Sequence, residues 1–139
     1  MINFTKALGL DVGAKRIGVA RVGSVARLPE PVTTLDYDDK PIEKIRWLID
    51  EFASDVVVVG LPRNLSGEDT EQTLFTRTFA GTLEEAGIPV VLQDEALTSK
   101  HAEEQIRSGV YKKNARGGDV TTDEVAACII LQDFIGEAR

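Results

Sequence analysis

Hydrophobic and polar positions change period several times along the chain, and each change predicts an element. Leu8, Leu10 and Val12 alternate with Gly9, Asp11 and Gly13, the two-residue period of a strand over 6–12. A short turn through Gly13-Ala14-Lys15 leads to a second strand over 16–22, so the two read as a hairpin. A third strand over 27–35 contains Pro29 and Pro31, which lack ladder donors and push it to a sheet edge. The period then becomes helical: Ile42, Ile45, Leu48, Ile49 and Phe52 share one face, with Asp38 or Asp39 as cap and Pro41 in the first turn. The run Val56-Val57-Val58-Val59 predicts a strand over 55–61 buried on both sides, as in a parallel sheet. A long helix follows over 69–86, with Leu74, Phe75, Thr78, Phe79 and Leu83 inward and Gly87 as its stop. Residues 89–93 predict another buried strand, and a helix runs from Thr98 until Gly109 ends it. Residues 110–118 are charged, hold two adjacent glycines and lack an apolar period, which predicts a mobile loop. Thr121 and Glu124 form a capping box before an apolar final helix through Ile135.

The order is βββαβαβαα. Hairpin connections for the first three strands and right-handed helical crossovers for the rest give an α/β fold. Its five-stranded mixed sheet has order 3-2-1-4-5 with helices on both faces. The length of 139 residues suits a single domain spanning 1–139. No stretch approaches the roughly 20 apolar residues of a membrane span, and the N-terminus lacks a secretory h-region. One cysteine, Cys128, precludes an internal disulfide and fits a reducing compartment, so a cytoplasmic location is expected.

The net charge of −7 argues against a generic basic nucleic-acid binder. Two features weaken that objection. Acidic residues around metal ions lower the formal sum yet attract phosphate once metal is bound. Positive charge also collects in or beside predicted loops, at Lys15-Arg16, Lys100-His101 and Lys112-Lys113 with Arg116.

The candidate chemistry follows from where the acids fall. Asp11 lies near the carboxyl end of the central strand, where open α/β sheets bind ligands. Flanking Gly9 and Gly13 leave room for an ion or phosphate to approach. Asp94-Glu95 ends the last strand at the same edge. Asp123 opens the final helix, where the helix dipole alone favours an acid. Oxygen-only ligands suit Mg²⁺ or Mn²⁺, which act on phosphodiesters. Neighbouring strands are about 4.8 Å apart, so Glu95 is expected to need a loop that curls back toward Asp11, with Asp94 and Asp119 in reserve. Cys128 fits a core position, His101 a surface one and Trp47 a packed one, whereas Tyr111 beside two lysines is the candidate for base stacking.

The same residues carry a resemblance. Leu8-Gly9-Leu10-Asp11-Val12-Gly13, then Lys15-Arg16-Ile17-Gly18-Val19-Ala20, resembles the opening of the YqgF (RuvX) family. Val59-Gly60-Leu61-Pro62-Arg63-Asn64 resembles its later motifs, as do Asp94-Glu95 with Leu97-Thr98 and Asp123 with Ala126-Ala127 and Leu131-Gln132-Asp133. The motifs occur in the family's order across nearly the whole chain. The resemblance implies a RuvC-like form of the ribonuclease H-like fold. It implies a nuclease maturing the small-subunit ribosomal RNA precursor, with resolution of Holliday junctions as the other associated activity. Asp11, Glu95 and Asp123 match the family's acidic triad by position, implying catalytic and metal-binding roles with Mg²⁺ or Mn²⁺. Lys15, Arg16, Arg63, Asn64, Thr98, Lys112, Lys113 and Arg116 are the implied nucleic-acid contacts. Ala96 stands where the family carries a basic residue, and the family's basic stretch before the last acid is reduced to Lys112, Lys113 and Arg116. The expected partner is ribosomal RNA precursor or branched DNA; a homodimer is left open and no membrane is expected. Two other readings stay open: an actin-like phosphate-binding ATPase relative, and a non-catalytic nucleic-acid-binding module.

Overall fold

The computed structural model describes residues 3–64, 66–95 and 99–137, without the side chains of 99–101 and 137. The elements are β1 (Lys6–Val12), β2 (Arg16–Gly23), β3 (Glu30–Asp36), α1 (Pro41–Phe52), β4 (Val56–Pro62), α2 (Glu71–Glu85), β5 (Val90–Glu95), α3 (Ser99–Arg107) and α4 (Thr122–Glu137). They form one five-stranded sheet of order β3-β2-β1-β4-β5, as the sequence predicts. The pairs β1–β2 and β2–β3 are antiparallel, and β1–β4 and β4–β5 are parallel.

Strand alternation sorts side chains onto two unlike faces. Leu8, Leu10, Val12, Ile17, Val19, Val57 and Val59 point to α1 and α2, where they meet Ile45, Leu48, Phe79 and Leu83. Ala7, Ala20, Val22, Val56 and Val58 point to α4, against Ala127, Cys128, Ile130, Leu131 and Phe134. Helix α3 packs on the outer side of α4 through Ala102, Val125 and Ile129. This placement buries residues 125–131 of α4 on every side, which accounts for its unbroken apolar run.

Several expectations change in detail. β3 begins at Glu30, because Arg27 takes a left-handed turn at φ 57°. Its register shifts opposite Val19 and Ala20, near the donor-less Pro31. Helix α1 has Lys40 at its N-cap rather than an aspartate, and Asp38 instead accepts a hydrogen bond from the Lys40 amide at 2.8 Å. Helix α2 starts from a Thr70–Thr73 capping box and buries Thr73, Thr76, Phe79, Ala80 and Leu83. Leu74 and Thr78, expected inward, are exposed. β5 is an edge strand with Leu92 39% exposed, not a buried one. Residues 110–118 are tied down more than their composition suggests. The Asn114 carboxamide oxygen accepts from the Arg116 and Gly118 amides, and the Ala115 amide donates to the Pro31 carbonyl at 2.9 Å. No helix among the described residues is long and apolar enough to cross a membrane.

Candidate active site

The face toward α4 carries the candidate acids because its strands supply so little side chain. Asp11 pairs with Gly18 across β1–β2, and both lie on this face. A Cβ at Gly18 would overlap the main chain of Asp123, and one at Gly9 would lie 2.5 Å from Leu131 Cγ and 3.0 Å from the Ala127 carbonyl oxygen. At Gly60 it would overlap the end of the Ile130 side chain. These glycines form the bed of α4. The room expected at Gly9 for an ion is therefore filled by the helix. Gly13 belongs to the tight turn, its amide donating to the Arg16 carbonyl at 2.9 Å.

The start of α4 is held firmly. Thr121 Oγ1 accepts from the Glu124 amide at 3.1 Å, one half of the expected capping box. The Glu124 side chain, 1% exposed, accepts instead from Thr34 Oγ1 at 2.7 Å and Asn114 Nδ2 at 3.1 Å. Edge strand, loop and helix thus meet at one buried carboxylate. The fixed first turn sets Asp123 over Gly18 and beside Asp11. Burial, and then the charge of Asp123, push the Asp11 carboxyl up to about 6. Two carboxylates that repel across a partly dry site are the electrostatic setting in which a divalent cation is most stabilising. Arg16 Nε contacts Asp123 Oδ2 at 3.3 Å, with more than half of the arginine side chain exposed.

Glu95 reaches the same face by its side chain. It is the last residue of β5, paired with Pro62, so no loop carries it inward. Its Cγ lies 3.6 Å from where a Cβ of Gly60 would stand, so Glu95 and the end of the Ile130 side chain share the space over this glycine of the intervening strand. Asp94 faces the other way and pairs with Arg63 at 3.1 Å, and Asp119 pairs with Lys113 at 2.6 Å. Neither reserve acid joins Asp11. Oxygen-only donors suit Mg²⁺ or Mn²⁺. Among the described residues, however, no three acids, histidines or cysteines are drawn together tightly enough to cage an ion as they stand. Asp11 and Asp123 are the close pair, and Glu95 is the third acid on their face.

The cationic candidates divide. Lys15 and Arg16 lie in or beside the β1–β2 turn next to the acids, and Lys15 is exposed. Arg63 and Asn64 organise their own loop: Arg63 bridges Asp94 and Asp69, and Asn64 Oδ1 accepts from the Ser66 and Glu68 amides. Lys112 is exposed, whereas Arg116 pairs with Glu51 at 2.7 Å, at the C-terminal end of α1 and away from the acid edge. Thr98 and Ala96 lie outside the described residues, as does the side chain of His101. Trp47, expected to be packed, is 67% exposed. Tyr111, the stacking candidate, is half-buried against the α4 core and accepts from Gln132 Nε2 at 3.2 Å. Cys128 is a buried core residue as expected.

Three contributors escaped the sequence reading. Glu124 was visible only as a capping residue. Gly18 shares the face of Asp11 by strand period, a signal that becomes informative only once the covering helix is known. Gln72 donates from α2 to the Val12 carbonyl at 2.7 Å, steadying the strand end beside Asp11, and nothing in its local pattern marks it.

Known proteins resemble this chain in sequence and in fold. A protein of Chloroflexus aurantiacus named "Putative pre-16S rRNA nuclease" is 40% identical over 135 residues, covering 95% of this chain and 87% of its own. One of Geobacillus kaustophilus bearing the same name is 34% identical, covering 96% of this chain and 99% of its own. Among solved structures, Thermus thermophilus RuvC in complex with a Holliday junction substrate superposes with TM-score 0.57 at 14% identity, covering 96% of each chain. The yeast mitochondrial Holliday junction resolvase Ydc2 gives 0.56 at 13% identity, covering 94% of this chain and 79% of its own. At such identities these two establish the fold, a RuvC-like member of the ribonuclease H-like class. The family model described as "RuvX: Holliday junction resolvase" matches residues 5–137, so the chain belongs to the RuvX family.

Proposed function

We propose that this protein is a divalent-metal-dependent nuclease that hydrolyses phosphodiester bonds in structured nucleic acid, with the precursor end of small-subunit ribosomal RNA as its substrate. The observation that carries the reading is the pairing of Asp11 and Asp123. Two carboxylates from separate elements converge at the carboxyl end of the central strand, and burial, then the charge of Asp123, push the Asp11 carboxyl up to about 6. Asp11 and Asp123 would hold Mg²⁺ or Mn²⁺, with Glu95 as the third carboxylate on the face. The ion, when bound, supplies activation of water and neutralises charge on the phosphate.

The chain's own residues do the remaining work. Asp11 is only partly exposed, which weakens the screening of its charge by water. Arg16, 3.3 Å from Asp123, and exposed Lys15 stand at the rim where a substrate phosphate would approach an otherwise acidic edge. Water adds to phosphorus and a sugar hydroxyl leaves, giving a phosphomonoester end. Exposed Lys112 is the further cation offered to a substrate phosphate.

The test is cleavage of a transcript carrying the immature small-subunit RNA end by purified protein with Mn²⁺, with chelator, and with the Asp11→Asn variant. Metal-dependent cleavage lost in the variant supports the reading. Cleavage of a four-way DNA junction but not of RNA transfers the substrate to branched DNA. Tight RNA binding with no cleavage in any metal overturns catalysis in favour of a binding module. Protection from unfolding by ATP but not by Mn²⁺ would point to a nucleotide-binding relative.

A further inference from the structure

Gly18 faces Asp11 directly in the β1–β2 pair, on the side covered by α4. Its φ is not in the left-handed region, so backbone freedom is not what calls for glycine here. The requirement is steric. A Cβ built on Gly18 would overlap the main-chain carbonyl carbon and oxygen of Asp123 and would lie 2.8 Å from the Asp123 Cβ. Directly opposed residues of an antiparallel pair hold their Cβ atoms about 4.5–5.5 Å apart on a shared face. Asp123 therefore stands close to where a side chain at position 18 would be, and meets Asp11 much as a cross-strand neighbour would.

The other two glycines of the bed differ in kind. Gly60 is crowded by the rotatable end of Ile130, and Gly9 chiefly by the side chain of Leu131, eight residues along α4 from Asp123. Only at Gly18 is the obstacle the main chain of a candidate acid. That obstacle cannot rotate away, so an added methyl must move the first turn of α4 itself. The turn is also anchored from the opposite side, through Thr121 and Glu124 to Thr34, which limits where it can go.

We propose that Gly18 is a positioning residue for the acid pair: its missing side chain sets the separation of Asp11 and Asp123, and through it the affinity for the divalent cation. The proposal rests on the metal-dependent reading above. It assigns to a residue that touches neither metal nor substrate a role distinct from core packing.

The experiment is calorimetric titration of Mn²⁺ into the intact protein and its Gly18→Ala, Gly9→Ala, Asp123→Glu and Gly18→Ala/Asp123→Glu variants, with the melting temperature of each. Gly18→Ala should weaken Mn²⁺ binding by about tenfold or more, the scale on which outer positioning groups act at metal sites. Gly9→Ala should lower the melting temperature while leaving the affinity within about twofold, because its clash is with the core. Asp123→Glu, which keeps the glycine but lengthens the acid, should also bind more weakly. In the double variant the longer acid should recover part of the loss, a coupling that a purely structural defect would not give. Equal affinity losses in Gly18→Ala and Gly9→Ala, or no recovery in the double variant, would overturn the proposal. If Gly18→Ala does not fold, Asp123→Glu alone decides the matter, and unchanged affinity there overturns the proposal. A wild-type protein that binds no Mn²⁺ overturns the metal-dependent reading itself, which is distinguishable from any of these results.

Discussion

On the face that meets α1 and α2, the three inner strands present Leu8, Leu10, Val12, Ile17, Val19, Val57 and Val59; on the face that meets α4 they present Val22, Val56 and Val58 toward one end and Ala7, Gly9, Ala20, Gly18 and Gly60 among and beyond them, with Asp11 opposite Gly18. The two sets come from alternate residues of the same segments, yet they solve different problems. Bulky aliphatics fill a thick layer and contribute most of the apolar burial. Small residues bring a helix down onto the sheet until its first turn stands beside a strand carboxylate. One face is shaped for stability, and the other gives up side-chain volume to bring two acids together. A short motif rich in glycine beside an acid need not leave space for a ligand; here the space is taken by the element that delivers the second acid.

Leu10→Ala, on the bulky face and next to Asp11 in sequence, should cost about 2–5 kcal/mol in urea unfolding as a buried large-to-small change. Mn²⁺ affinity should stay unchanged, because its side chain points away from the acids. Loss of metal binding at equal foldedness would show that the faces are not separable. Glu124→Ala, at the anchored end of α4, leaves the Thr34 hydroxyl and the Asn114 amide without their buried acceptor and should cost about 1–3 kcal/mol. Faster amide exchange at 112–118 should accompany it, since Asn114 organises that turn; unchanged exchange there would mean that Glu124 does not anchor the loop. Asp123→Asn should cost least, about 0.3–1 kcal/mol from the lost helix-dipole interaction, while abolishing Mn²⁺-dependent cleavage. Activity falling only in proportion to stability would mark Asp123 as a capping acid and no more.

The sequence made the fold legible wherever period and partner lay in the same segment. Alternation at 6–12, the aliphatic run at 56–59 and the prolines of β3 were enough to order the sheet, and Thr121 announced the start of α4. Features that depend on what lies opposite were not legible. Leu92 looks like a buried strand residue until β5 proves to be the sheet edge. Arg63, Lys113 and Arg116 read as free cations in the sequence, and only the structure shows Asp94, Asp119 and Glu51 paired with them. Asp11 and Asp123 could be named from position, but their closeness depends on Gly18, whose importance appears only with α4 in place.

The acid pair is tested most directly by the stability of Asp11→Asn against wild type, without metal, across pH. An acid with a folded-state value near 6 and an ordinary value of 3.8 binds its proton more tightly in the folded state. Below pH 4 both states are protonated and the raised value costs nothing. Between about 4 and 6 the unfolded chain ionises first, so wild-type stability falls as pH rises, and above 6 the full penalty remains. Urea unfolding should therefore find Asp11→Asn more stable than wild type at pH 7.5, by on the order of 2 kcal/mol given the partial exposure of the site. The gap should close by pH 4, and Mn²⁺ should raise the wild type at pH 7.5 but not the variant. An Asp11→Asn protein less stable than wild type at pH 7.5 would contradict this, because Asp11 would then be holding the fold together and not a charge awaiting a cation.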